Sequence, residues 1–250
     1  TAYAVGQIFE SPCHSLQRMG LTFGGSKRSD PIVMRTGFTI LAILAAAYAL
    51  AAWTPLVSVV FKTIMKVPDE VYPLVMASFR VLIMRPVSSA IRSIFQSRMV
   101  LAGKTYRVTA PMGIRVLVML AAVYFLLGLR PEGPVGAAIL VAGISTEALL
   151  AWIVARFALP SPREAAHDEP AITASQVAKF GLPLAIASMI QMFGRPALTA
   201  ALLRTLDPTT TVAGWQVASS FSYILVALTY NIYHVLVVFM KDARSFRQIQ

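Results

Sequence analysis

Six stretches of the chain are mostly apolar for more than twenty residues, and polar loops separate them. They run from Thr36 to Val60, Tyr72 to Gln96, Val108 to Gly128, Val135 to Phe157, Gln176 to Leu203 and Val212 to Met240. A bilayer core about 30 Å thick takes roughly 20 apolar residues as a helix, so the pattern predicts six transmembrane helices. Ahead of them, residues 1–17 ("TAYAVGQIFESPCHSLQ") read as the tail of a further helix. The segments are too long for the strands of a membrane barrel and lack their alternation. Thr1 falls inside a hydrophobic pattern and Gln250 follows a basic patch, so the chain is expected to be a piece of a longer protein.

Polar residues inside the spans are not scattered. In the second span, Arg85, Ser88, Ser89, Arg92 and Gln96 share one helix face, and Pro86 permits a kink beside Arg85. The fifth span repeats the arrangement with Ser188, Gln191, Arg195 and Thr199 on one face and Pro196 after Arg195. The sixth carries Gln216, Ser220, Tyr223, Tyr230 and His234 on one side. An arginine near the centre of a lone membrane helix costs about 2.5–3.5 kcal/mol on insertion scales, so these faces are expected to meet a watery cavity or partner helices. Arg115, nearer a span end, is expected to snorkel.

Against Arg80, Arg85, Arg115 and Arg195, one intramembrane acid stands out, Glu147 in the fourth span, as a salt-bridge partner or proton carrier. A surplus of fixed cations favours an anionic substrate, because guanidinium forks match phosphate and carboxylate oxygens. Arg85, Arg195, Ser89, Gln191, Gln216 and Tyr223 are therefore the expected substrate contacts, with Arg85 and Arg195 facing a common aqueous cavity.

Composition agrees with lipid as the surrounding medium. Of 250 residues, 57% are hydrophobic and 13% charged, about half the charge of an ordinary soluble domain. The net charge of +11 invites a nucleic-acid reading until the basic residues are sorted by loop. Arg18, Lys27, Arg28, Arg35, Arg92, Arg98, Lys104, Arg107, Arg156, Arg163, Lys179, Lys241, Arg244 and Arg247 fall on one side. The opposite side has Lys62, Lys66, Arg130 and Arg204. By the positive-inside rule the richer side is cytoplasmic, and no nucleic-acid partner is needed.

The lone cysteine, Cys13, excludes an intrachain disulfide and a thiolate cluster. His14, His167 and His234 lack metal-ligand spacing, so neither metal, cofactor nor enzymatic activity is expected. The Pro-rich, acidic stretch 159–172 ("LPSPREAAHDEPAI") has the make-up of a cytoplasmic linker between helix groups 1–158 and 173–250.

Two stretches carry a family likeness. Residues 2–28 ("AYAVGQIFESPCHSLQRMGLTFGGSKR") resemble the second helix and following basic loop of the ANKH, or progressive-ankylosis, transporters. Residues 179–204 ("KFGLPLAIASMIQMFGRPALTAALLR") resemble their seventh helix, which opens the second lobe. That family lies within the superfamily of MATE and polysaccharide-lipid exporters. The resemblance implies an all-α fold of twelve helices in two six-helix lobes, of which this chain would span the end of helix two to helix eight. It also implies alternating-access export of pyrophosphate, nucleotide or citrate, with a membrane-lipid environment and an unspecified coupling ion. A flippase for a pyrophosphate-linked lipid oligosaccharide would use the same arginines. A MATE-type drug exporter would want acids in their place.

Overall fold

The computed structural model describes residues 1–104, 106–126, 133–161 and 172–239, with the backbone alone at 224, 225 and 227–239. The expectations for Arg130, Arg163, His167 and most of the 159–172 linker lie outside the described residues, and those for the Tyr230 and His234 side chains outside the described side chains. The described residues form nine α-helices and no strand: α1 (Ala2–Phe23), α2 (Asp30–Trp53), α3 (Pro55–Val59, continued by a π-helical turn Val60–Ile64), α4 (Tyr72–Val81), α5 (Met84–Leu101), α6 (Tyr106–Leu126), α7 (Gly133–Phe157), α8 (Ala174–Leu202) and α9 (Pro208–Phe239). Among the described residues, five helical passages are long and apolar enough to cross a membrane: α2, α4 with α5, α6, α7 and α8. Leu117, Leu120, Tyr124 and Phe125 of α6 and Ile43 and Leu50 of α2 are exposed, a surface that suits hydrocarbon better than water. The described residues are all-helical, and five of their helical passages have the length and apolarity of membrane spans.

Helix boundaries follow local chemistry, and one departs from the expected span. The second helix covers Asp30–Trp53 where the hydropathy pattern predicts Thr36–Val60. Asp30 and Pro31 supply an acidic, proline-led first turn, and Thr54 turns extended before Pro55. The start of α8 is a reciprocal cap: Gln176 N donates to Thr173 Oγ1 at 3.3 Å, and Thr173 N donates to Gln176 Oε1 at 2.9 Å.

The chain divides into two compact units, residues 1–198 and 199–250. In the first, a cluster of Cys13, Leu16, Met19, Val33, Leu41, Ala90, Ile94 and Val177 joins α1, α2, α5 and α8. Small residues let the helices approach: a Cβ on Gly20 of α1 would lie 2.1 Å from Ser97 Oγ of α5. On α7, Ala148, Ala151 and Ala155 present a small buried stripe. The basic helix ends collect at one end of this unit. Arg98 of α5 pairs with Asp30 of α2 at 3.0 Å, Phe23 of α1 meets Phe180 of α8 edge-on at 5.3 Å, and Arg107 of α6 donates to the Ala158 carbonyl. Towards the other end, Tyr48 stacks on Phe79 at 4.6 Å and donates its hydroxyl to the Phe79 carbonyl.

The second unit comprises the end of α8 and α9. Asp207 caps α9, its carboxylate accepting from Thr210 N at 3.2 Å, and Pro208 occupies the first helical position.

Candidate functional site

The polar face of the second span is created by a break. Pro86 has no N–H to offer the Leu82 carbonyl, which instead accepts from Arg85 N at 3.0 Å. The helix therefore ends at Val81 and restarts at Met84, placing Arg85 in the first turn of α5. Arg85 Nη2 donates to Glu10 Oε1 at 3.0 Å and lies 2.8 Å from Oε2. Ser89 Oγ donates to the same Oε1 at 2.5 Å, and the guanidinium stacks over the Tyr3 ring at 4.6 Å. The carboxylate thus sits by the positive end of the α5 dipole as well as against its counter-ion. On α1, Pro12 leaves the Ile8 carbonyl without its usual donor, and Ser11 Oγ supplies one at 3.0 Å. Both charged groups are buried.

Two to three turns further along α5, a second acid is enclosed. Glu147 of α7 is fully buried and serves three donors: Arg115 Nη1 at 2.9 Å, Gln96 Nε2 at 3.0 Å and Arg92 Nη1 at 3.5 Å. Arg92 and Arg115 each stand nine residues from the basic end of their helix and Glu147 ten, a common depth of about 14–15 Å at 1.5 Å per residue. That is near the middle of a 30 Å core. Ser88 meets Ser145 of α7 at 2.8 Å, extending the same seam.

The third wall is α1. Tyr3, Gln7, Glu10 and His14 recur at helical spacing along it. Gln7 Nε2 donates to Tyr3 Oη at 2.9 Å, and Gln7 Oε1 accepts from Arg195 of α8. Gln7 and Glu10 are one turn apart, so α1 brings Arg195 and Arg85 to the same face. His14 is exposed, within electrostatic range of Glu10, Arg18, Arg85 and Arg92.

Two expectations change. Glu147 is not the lone interior acid: Glu10 neutralises Arg85. Arg115 does not snorkel, because Glu147 at its own depth offers a better partner than the interface. A groove of about 270 Å³ is lined by Tyr3, Leu74, Ser78, Leu82 and Leu140 among others, and a small cavity of about 10 Å³ lies among Met19, Asp30, Ser97 and Arg98. Ser89 is buried in the site. Gln191 is exposed on α8, and Gln216 and Tyr223 are exposed on α9, in the second unit.

Sequence reasoning missed Gln7 and Glu10, although the spacing of Tyr3, Gln7, Glu10 and His14 in the opening segment carries the signal. It also counted Arg92 with the basic loops, whereas the fold sets it beside Glu147. Among the buried atoms, Arg92 Nε and Arg85 Nε have no hydrogen-bond partner among the described residues. Glu10 Oε2 likewise accepts none and is held by proximity to Arg85 rather than by an aligned N–H. No family model, curated protein or solved structure matches the chain.

Proposed function

We propose that this chain forms part of a multi-pass membrane transporter, related to the ANKH-type exporters, that carries a small anion bearing phosphate or carboxylate groups by alternating access. The observation that carries this reading is the charge of the enclosed seam. Arg85, Arg92 and Arg115 face Glu10 and Glu147 there, three guanidiniums against two carboxylates. A net positive, water-poor site attracts anions strongly because its field is little screened. The same site repels the cations that a drug exporter would carry. The basic helix ends that gather at one end of the first unit support a cytoplasmic placement of that end.

Arg85 is consumed by Glu10, whereas Glu147 is divided between two arginines, so the uncompensated charge lies around Glu147. The test is flux through proteoliposomes holding the purified full chain. Pyrophosphate, citrate and ATP, each radiolabelled, are assayed separately beside a cationic dye. Uptake of at least one anion above protein-free liposomes is expected. Anion flux equal to that of empty liposomes, or flux of the dye alone, would overturn the reading.

A further inference from the structure

We propose that Arg92 is a releasable anion-binding arm, lent to Glu147 in the resting site and given up to a phosphate or carboxylate oxygen of the solute. The proposal rests on the transport reading and names the residue that makes first contact. Its basis is the inequality of the partners around Glu147. Arg115 and Gln96 hold the carboxylate at 2.9 and 3.0 Å, distances of well-formed charge-assisted bonds. Arg92 stands at 3.5 Å, the outer limit of a hydrogen bond. Its Nε is buried without a partner among the described residues, so a donor edge of the guanidinium is unclaimed. A planar oxyanion needs such an edge for two-point binding.

Release of Arg92 also leaves nothing uncompensated. Glu147 would keep one guanidinium and one amide, a neutral and satisfied set, while Arg92 met its new partner. Arg85 is the informative contrast. If it left Glu10, that buried carboxylate would keep only the Ser89 hydroxyl, and stranding a buried charge is strongly unfavourable. Arg85 is thus a fixed strut and Arg92 the mobile arm.

The geometry predicts opposite effects from two neighbours that a purely structural role would not separate. Binding of inorganic pyrophosphate and of citrate to the purified full chain is measured by calorimetry at fixed ionic strength, in nanodiscs of phosphatidylcholine. Arg92→Ala should weaken binding about tenfold or more, the range of a lost charge-assisted pair. Arg92→Lys should recover part of it. Glu147→Gln, which frees Arg92, should tighten binding, and Arg115→Ala, which leaves Glu147 dependent on Arg92, should weaken it. Where Arg92→Ala is not monodisperse, Arg92→Lys and the Glu147→Gln and Arg115→Ala pair carry the test. Unchanged affinity in the Arg92 variants, or Glu147→Gln and Arg115→Ala shifting in the same direction, overturns the proposal. A repeat with phosphatidylglycerol in the nanodiscs separates two sources of the oxyanion. Loss of pyrophosphate binding there, reversed by neutral lipid, assigns the arm to a lipid headgroup and retains the site. Wild-type flux that Arg92→Ala leaves intact removes the arm without touching the transport reading. Affinity shifts without any flux do the reverse.

Discussion

Arg85 and Glu10 stand 75 positions apart in the chain, yet their side chains meet at 2.8–3.0 Å inside the helix group. The contact ties α1 to the start of α5 and turns what the sequence offers as a surplus cation into half of a buried pair. Glu10→Gln should therefore leave Arg85 charged and stranded, and destabilise the protein by about 3–5 kcal/mol. Replacing both, with Glu10→Leu and Arg85→Met, should recover most of that loss. Unfolding of the three proteins in one detergent measures it, and equal losses in single and double variants would show that the residues do not act as a pair.

Gly20 marks the closest approach of α1 and α5. A Cβ there would lie 2.1 Å from Ser97 Oγ and 2.7 Å from Ser97 Cβ, so the neighbour must move. Gly20→Ala should destabilise by about 1–3 kcal/mol, the usual range for overpacking. Adding Ser97→Gly removes both clashing atoms and should restore part of the stability. No recovery in the double variant would place the strain elsewhere.

The gathering of basic helix ends gives a sidedness that labelling can read. With Cys13 replaced by Ala, single cysteines at Lys27 and Lys104 should resist a membrane-impermeant thiol reagent in intact cells, while one at Asp69 should react. Lysed cells should label all three. Reaction of the Lys27 and Lys104 positions in intact cells would invert the proposed orientation.

Asp207 offers a pH-dependent cap outside the membrane helices. Hydrogen bonds from the Thr210 side chain and backbone hold its carboxyl below the ordinary aspartate value. A depressed acid stabilises the folded cap above its unfolded value, near 3.9, and that contribution fades as pH falls through the lower folded value. The Thr210 amide resonance should titrate with a midpoint under the ordinary aspartate range, and Asp207→Asn should abolish the titration. A midpoint at or above the ordinary value would show that the cap does not form.

The polar face of α5 was legible because Arg85, Ser88, Ser89, Arg92 and Gln96 obey a helical period that needs only one segment. Membrane character was legible for the same reason: apolar runs report their own solvent. What surrounds that face was not. Whether Arg85 is free or paired depends on Glu10 from a segment 75 residues away, and no local period encodes which helix lies opposite. Arg115 shows the limit in another way. The hydropathy pattern sets it nearer a span end and so favours snorkelling, but the helix places it near mid-depth, where Glu147 at the same level attracts it more strongly than a distant interface.

Hydrophobic periodicity, proline placement and caps alone thus determine the helices, their approximate ends and their residence in lipid, since each is set by interactions within a few residues. Thr173 with Gln176, Asp207 with Pro208 and Thr54 before Pro55 are all readable in this way. Tertiary structure decided the electrostatics of the interior. Packing at Gly20 and along the alanines of α7 brings α1 and α7 against α5, and only that approach gives Arg85 its acid and divides Glu147 between Arg92 and Arg115. Charge in a membrane interior takes its meaning from its neighbours, and those neighbours are chosen by how the helices fit.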